Sequence, residues 1–394
     1  MGKRIKRNTR INPNEFGDLL YDRKELDAIS CVLLDGKIFR YSGKKPSPTD
    51  IFENKVKRYL GVKYAHGLNS GTSALKASLR ALEIKPGDRV LISAYTFIAT
   101  PAAVISLGAI PIPIDLNLDT GMDLFQLKTE INKGCVAIIP VHLQGRTFNI
   151  SPIIKLAHKK NIPVIEDACQ AFGAKYGHTP AGCFGDMGVF SFQQYKQISS
   201  GEGGMIITNN RDYYRKTKIY SDHGIVRELR SWDTDEAIIG DNLRMDNLRA
   251  AILNVQIGKL PVMIATQKKN RDFILGGVSN LKITSIINSS DVKGETCMNI
   301  LFLAASVKKT VDIISHAKNS KIEFRYLWDR PYYKHGIFEK MEMTPRYLGS
   351  FICKNAEDIS KRLVFLSIPP TLSGNDLKKI VKEIKTLHKL RLIV

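Results

Sequence analysis

GDMGVFSFQQYKQISSGEGGMIITNN, residues 185–210, places two short apolar runs, GVFSF (188–192) and GMIITN (204–209), on either side of a polar, glycine-rich turn. Both runs are rich in β-branched and aromatic residues and are bounded by Gly or Asn, which is the pattern of buried strands. Upstream, the same signal recurs in RVLIS (89–93), IPIPID (110–115), VAIIPVHL (136–143) and IPVIED (162–167). Between them, SALKASLRALE (73–83) and SPIIKLAHKK (151–160) carry apolar residues at i, i+3, i+4 spacing and begin after the Ser, Thr or Gly that helix starts favour. Strands alternating with helices from about residue 50 to 210 predict an α/β fold with a mostly parallel sheet covered by helices.

The pattern changes after about residue 240. A long helical stretch, DNLRAAILNVQIGKL (246–260), leads through the Lys-rich TQKKNRDF (266–273) to a strand-like ILFLAAS (300–306), a helix-like VDIISHAKNS (311–320) and a last helix, LKKIVKEIKTLHKL (377–390). This divides the chain into an N-terminal arm and large domain, 1–260, and a smaller C-terminal α/β domain, 261–394.

With 394 residues, 43% hydrophobic and 25% charged, the chain has globular composition, and no stretch approaches the ~20 uninterrupted apolar residues of a spanning helix. The amino terminus MGKRIKRNTRINPNEF (1–16) is basic but has no apolar core, so it does not read as a secretory signal, and a cytoplasmic protein is expected. Six cysteines without a CxxC pair argue for reduced thiols rather than a zinc site or a disulfide framework, and no metal is expected. The 59 Lys and Arg against 38 Asp and Glu leave a formal +21, a field that attracts anions. The lysines are scattered rather than gathered into a basic block, so compositional bias explains them better than nucleic acid, and no membrane partner is expected.

In an open parallel sheet ligands bind beyond the carboxyl ends of strands, which singles out Asp167, closing IPVIED, and Lys196, four residues past GVFSF. Taken alone, Lys196 is one solvated lysine among many and Asp167 an ordinary helix cap. A third element gives them company: in GLNSGTSALKASL (67–79) a small-residue turn opens a helix, and the unpaired amides at such a start favour a phosphate. There Gly71 permits close backbone approach, while Thr72 and Ser73 supply amides and hydroxyls. The competing reading is a plain helix cap, and neither GxGxxG nor GxxxxGK[ST] is present at this turn.

The ordered series NSGTSAL (69–75), KPGDRVLISAYTFIAT (85–100), GAIPIPIDLN (108–117), IPVHLQG (139–145), IEDACQAFGAKYG (165–177), residues 185–210, DHG (222–224) and NLRMDNLRAAILNVQ (242–256) resembles the DegT/DnrJ/EryC1/StrS sugar aminotransferases. These are fold-type I enzymes that depend on pyridoxal 5'-phosphate, and the likeness runs from about residue 20 to the end. It implies a large domain with a mostly parallel, seven-stranded sheet and a smaller C-terminal domain. RYSG (40–43) and SFQQ (191–194) look closer to the branch of cyclitol aminotransferases and aminohydroxybenzoate synthases.

The resemblance also implies roles. Lys196 matches the lysine that holds the cofactor as a Schiff base and then moves protons, and Asp167 the carboxylate facing the pyridine nitrogen. Gln170 matches the partner of the ring's phenolic oxygen, Phe97 the aromatic ring stacked on the cofactor, and Ser191, Gly71, Thr72 and Ser73 the phosphate contacts. Asn242, with Arg244 as the neighbouring candidate, matches a residue sent across a homodimer interface to the other protomer's phosphate, so that the two active sites are shared. Tyr195 stands where a small residue is expected, and Asp241 and Leu243 where aromatics are common. The implied activity moves an amino group from glutamate or glutamine to a keto-sugar, nucleotide-linked or not, or to a keto-cyclitol. The alternatives are a dehydratase or aromatising synthase of the same family and a non-catalytic, cofactor-binding regulator.

Overall fold

The computed structural model describes residues 20–43, 46–118, 121–287, 289, 291–320, 322, 324–339 and 351–393; the N-terminal arm up to residue 19 lies outside them. The large sheet is built from β1 (Tyr64–Leu68), β2 (Arg89–Ser93), β3 (Ile110–Ile114), β4 (Ala137–Ile139) and β5 (Ile165–Asp167). After a small hairpin of β6 (Lys175–Tyr176) and β7 (Thr179–Pro180), it is completed by β8 (Met187–Ser191) and β9 (Gly204–Thr208). Strands pair in the orders β1-β9-β8-β5 and β3-β2-β4, and parallel bridges Ile138–Val164 and Val141–Asp167 join β4 to β5. The seven strands therefore run β1-β9-β8-β5-β4-β2-β3. All are parallel except β9, which is antiparallel to both neighbours.

The reversal of β9 follows from the turn that opened the sequence reading. A parallel return needs a crossover, usually a helix, whereas QQYKQISSGEGG is short and helix-free, so the chain turns straight back. The turn, with Lys196 in it, is thereby held at the carboxyl end of β8. At the opposite edge β3 reads IPIPI, and its two prolines are tolerated because an edge strand need not donate on its outer side.

Helices α1 (Arg23–Leu34), α2 (Pro48–Leu60), α3 (Gly71–Ala81), α4 (Ala99–Ile105), α5 (Leu124–Asn132), α6 (Ser151–His158) and α7 (Arg211–Tyr220) accompany the sheet. Both α1 and α2 begin with capping boxes, Asp22 with Glu25 and Ser47 with Asp50, and Pro48 fills the first turn of α2, where a missing N–H costs nothing. The next helix, α8 (Asn247–Gly277), is long and apolar enough to cross a membrane by length and composition. It packs instead against α1, α2 and the C-terminal helix, burying Ala250, Leu253, Ile257, Leu260 and Met263 along one stripe.

The C-terminal part of the chain, read from the sequence as a smaller α/β domain, forms a sheet of its own that is not parallel. Its strands β10 (Ile286–Ile287), β11 (Asn299–Leu303), β12 (Phe324–Tyr326) and β13 (Leu363–Ser367) pair in the order β10-β11-β13-β12, and every pairing is antiparallel. Helices Val307–Ser320 and Gly374–Lys389 bury Ile313, Ala317, Ile380 and Ile384 against Phe302 and Val364 of that sheet. The other face meets the large domain, since Leu301, Tyr332 and Phe365 share one core with Leu75, Ile92 and Ile139.

Candidate active site

Beyond the carboxyl ends of the large sheet lies a cavity of about 590 Å³, closed on its far side by the second domain. Gly71, Thr72, Phe97, Asp167, Gln170, Ser191 and Lys196 all lie on its wall; Ser73 and Asn242 do not.

The α3 start forms one end of the cavity. Ser70 is the cap, and its hydroxyl oxygen accepts the Ser73 N–H at 3.1 Å while its own O–H donates to Ser73 Oγ at 2.9 Å. The Ser73 amide is thus engaged within the turn, leaving Gly71 and Thr72, at the first two helical positions, with amides that precede any intrahelical bond. A Cβ at Gly71 would stand 2.9 Å from both Cys169 Sγ and Ser191 Cβ, and one at Gly204 only 2.1 Å from the Ser70 carbonyl oxygen. Glycine at both positions lets the helix end sit directly on β8 and β9.

Strand β5 supplies the floor, and alternation along it separates its two carboxylates. Glu166, fully buried, points away from the cavity and accepts from His142 Nε2 at 2.8 Å and from the amides of Gly182, Phe184 and Gly185 at 2.8, 2.5 and 2.6 Å. Its work is to hold the loop before β8. Asp167 faces the cavity and is oriented by Thr100 Oγ1, which donates to Oδ2 at 2.7 Å, and by the Cys169 amide at 3.1 Å. Thr96 backs Thr100 at 2.8 Å. Neither threonine was singled out in the sequence, where a Thr pair at i, i+4 reads only as a helix start.

Burial pushes the Lys196 amine below the ordinary lysine value, against the opposing pull of Cys169, Asp167 and Glu202. Burial, reinforced by Asp167 and opposed by Lys196, raises the neighbouring Cys169 thiol well above its usual range, so this cysteine is a packing group rather than a nucleophile. Gln170 accepts from Gln144 Nε2 at 2.9 Å.

The far wall is aromatic. Phe97 is half exposed, and its ring lies 6.2 Å from that of Trp328 at an interplanar angle of 31°. Trp328 is fixed by its backbone: Tyr95 Oη donates to its carbonyl at 3.0 Å, and its amide donates to Tyr95 Oη at 3.3 Å. The segment YLWDRPYYKHG (326–336) therefore brings Tyr326, Leu327 and Trp328 from the second domain onto the cavity, next to Arg325. Tyr195, where a small side chain was expected, is on the wall as well. Asn242 is exposed at the surface, its carbonyl accepting from Asn69 Nδ2 at 3.4 Å, and Arg244 pairs with Asp222.

A match to the DegT/DnrJ/EryC1/StrS aminotransferase family extends over residues 22–385, nearly the whole chain. The chain belongs to this family. It is 30% identical over 339 residues to GDP-perosamine synthase of Escherichia coli O157:H7, covering 86% of this chain and 89% of that one. With the UDP-N-acetyl-3-dehydro-alpha-D-glucosamine 3-aminotransferase of Acidithiobacillus ferrooxidans it shares 39% identity over 340 residues, 85% of this chain and 88% of the relative. Among solved structures, an aminotransferase from Psychrobacter cryohalolentis superposes with a TM-score of 0.83 at 25% identity, covering 94% of this chain and 98% of its own. As a member of the DegT/DnrJ/EryC1/StrS family the chain is a pyridoxal-phosphate-dependent aminotransferase, and the α/β, fold-type I architecture expected from the sequence is the one it has. The cavity fits that cofactor: open amides at a helix start suit a phosphate dianion, and a deep carboxylate stands opposite an amine of lowered basicity.

Proposed function

We propose that this aminotransferase takes an amino group from glutamate or glutamine and passes it to the keto group of a nucleotide-linked sugar. The observation that carries this reading is a Lys196 amine held below its ordinary value in the same cavity as Asp167 and the open amides of Gly71 and Thr72. Two relatives named for GDP- and UDP-linked sugars favour such an acceptor over a free cyclitol, and the cation Arg325 on the wall suits an anionic substrate. RYSG and SFQQ had pointed towards the cyclitol branch, a preference that these two relatives do not share.

Pyridoxal phosphate supplies an aldehyde that condenses with amines and a ring that accepts the electrons left when a proton departs from the neighbouring carbon. Lys196, whose amine burial holds below the ordinary lysine value, is the amine that would bind it and, once displaced by the donor, the base that would carry the proton. Asp167, held by Thr100 and the Cys169 amide, would keep the ring nitrogen protonated. On the cavity wall, Gln170 would donate to the phenolic oxygen, Phe97 would cover one face of the ring, and the amides of Gly71 and Thr72 with the Ser191 hydroxyl would hold the phosphate. Ser73 acts through the cap, by fixing Ser70. Asn242 of one protomer completes the phosphate site of the other, which makes the enzyme a homodimer with shared sites; its exposure, off the cavity wall of its own chain, is in keeping with this.

The test is spectroscopic. Loaded with pyridoxal phosphate, the protein is yellow and is bleached by its amino donor, and the faster of glutamate and glutamine is the donor. Regeneration of the colour by keto-sugars, with and without a nucleoside diphosphate, identifies the acceptor. A protein that takes up no pyridoxal phosphate, or a Lys196→Ala variant with an undiminished half-reaction, overturns the reading.

A further inference from the structure

Gln144 lies in the left-handed region of the backbone, with φ +54°, where a side chain other than Gly or Asn is uncommon. Its neighbours pin it there: the Gly145 amide donates to the Gln170 carbonyl at 2.7 Å, and the Thr296 amide, from the second domain, donates to the Gly145 carbonyl at 2.9 Å. The Gln144 side chain consequently reaches the cavity between the two domains.

There it forms the middle of a directed chain of hydrogen bonds. Ser367 Oγ donates to Asn299 Oδ1 at 2.9 Å; Asn299 Nδ2 donates to Gln144 Oε1 at 2.5 Å; Gln144 Nε2 donates to Gln170 Oε1 at 2.9 Å. The Gln144 backbone amide adds a second, longer bond of 3.4 Å to the same oxygen. With Oε1 of Gln170 so occupied, its NH2 group is turned the other way, and it makes no hydrogen bond with any described residue. Asn299 and Gln144 each accept from behind and donate ahead, and bonds so aligned polarise one another. The rear of the series is rigid, because Asn299 and Ser367 are register partners on β11 and β13, and β13 also pairs with β12, which carries Arg325 and Tyr326 of the cavity wall.

We propose that Gln144 is a positioning residue, which fixes the direction of the Gln170 amide and ties it, through Asn299 and Ser367, to the sheet of the second domain. This rests on the reading that Gln170 donates to the cofactor's phenolic oxygen. Reversal of the Gln170 amide would present a carbonyl to that oxygen, two acceptors facing each other, so direction matters as much as presence. The same sheet carries part of the substrate wall, and seating of the acceptor is thereby felt by the Gln170 donor.

The experiment is a pH titration of the visible absorbance of the protein loaded with pyridoxal phosphate. A donor on the phenolic oxygen draws off negative charge that would otherwise hold the Schiff-base proton, so loss of the donor moves the titration to higher pH. Gln144→Glu keeps the shape and still accepts from Asn299, but its side chain offers nothing to Gln170 Oε1; Gln144→Gly removes the side chain while suiting the left-handed backbone. Both are expected to shift the midpoint upward by roughly half a pH unit or more, in the direction of Gln170→Ala, with Asn299→Ala giving a smaller shift of the same sign. The double variant Gln144→Gly/Gln170→Ala is expected to match Gln170→Ala alone. Gln144 variants that titrate like wild type while Gln170→Ala shifts would overturn the proposal and leave the role of Gln170 standing. If Gln170→Ala itself leaves the midpoint in place, the role of Gln170 is wrong and the relay falls with it.

Discussion

Thr100 Oγ1 donates to Asp167 Oδ2 at 2.7 Å, with both side chains buried. A hydroxyl has one proton, so Thr100 gives it to the carboxylate and accepts from Thr96, 2.8 Å away. Thr100→Val preserves the shape and removes that donor. A hydrogen bond to a charged group contributes about 1.5–3 kcal/mol, so kcat should fall roughly 10- to 100-fold with the circular dichroism spectrum unchanged. Thr96→Val, one step removed, should cost less. Steady-state kinetics on the two variants decide whether Asp167 needs this orientation.

Gly71 and Gly204 should respond differently to alanine. At Gly71 the new methyl meets Cys169 Sγ, a side-chain end that can turn aside, and Ser191 Cβ, which moves only with β8, both at 2.9 Å. Overpacking of that kind costs about 1–3 kcal/mol, which should appear as weaker binding of pyridoxal phosphate in an absorbance titration. At Gly204 the methyl meets the Ser70 carbonyl at 2.1 Å and the Gly71 amide at 2.8 Å, backbone that cannot step aside without moving α3. Gly204→Ala should lower the melting temperature of the apoprotein, an effect expected to be much smaller for Gly71→Ala.

These contacts mark the limit of what the sequence disclosed. Asp167 and Lys196 were legible because each stands within a few residues of a strand end, where an open sheet must place its ligands, whereas Gln170 and Ser191 were named only through the family resemblance; all four line the cavity. Thr100 and Gln144 were not, because one looks like any residue of a helix start and the other becomes significant only through Asn299, 155 positions away. Strand β13, LVFLS, was passed over since it follows helix Lys354–Arg362 without a break, and periodicity alone does not divide a short apolar run from a helix. Helices α1 and α2 carry their own sequence signals, the capping boxes at Asp22 and Ser47, which stand outside the strand pattern that reveals the rest of the large sheet.

The turn that carries Gly71 is anchored by a buried cluster on β1 and α2, and this predicts an acid-labile fold. Burial alone would raise the Glu53 carboxyl, but the Arg40 guanidinium at 2.6 Å, His66 and the Gly67 amide at 2.7 Å together bring it down to about 2. Burial, with Arg40 beside it, also holds His66 below its ordinary value, so the folded protein keeps it neutral. Both shifts act in one direction: each group binds protons more readily in the unfolded chain, and stability falls as pH falls. The melting temperature should begin to decline below about pH 6.5 as the unfolded chain protonates His66, then more steeply from about 4.5 towards 2 as Glu53 contributes. Glu53→Gln leaves Arg40 buried beside a neutral amide; it should destabilise by about 3–5 kcal/mol at pH 7 and flatten the lower part of the profile. Thermal melts of both proteins across pH 3–8 test this.

Lys196 itself offers a pH prediction that does not depend on the sugar substrate. Burial lowers its amine, and Cys169, Asp167 and Glu202 pull it back up. The neutral amine attacks an aldehyde, so the rate at which apoprotein takes up pyridoxal phosphate should rise with pH and level off below the ordinary lysine value of 10.5. Glu202→Gln removes one of the opposing charges, which should move the whole profile to lower pH and speed uptake at pH 7. Because Glu202 is only one of three such charges, the displacement should be a fraction of a unit, and added salt should diminish it where solvent reaches the pair. Stopped-flow absorbance at a series of pH values measures the profile directly. A profile that plateaus only near that of a free lysine would mean that burial does not lower the amine, and Lys196 would then need some other source of reactivity.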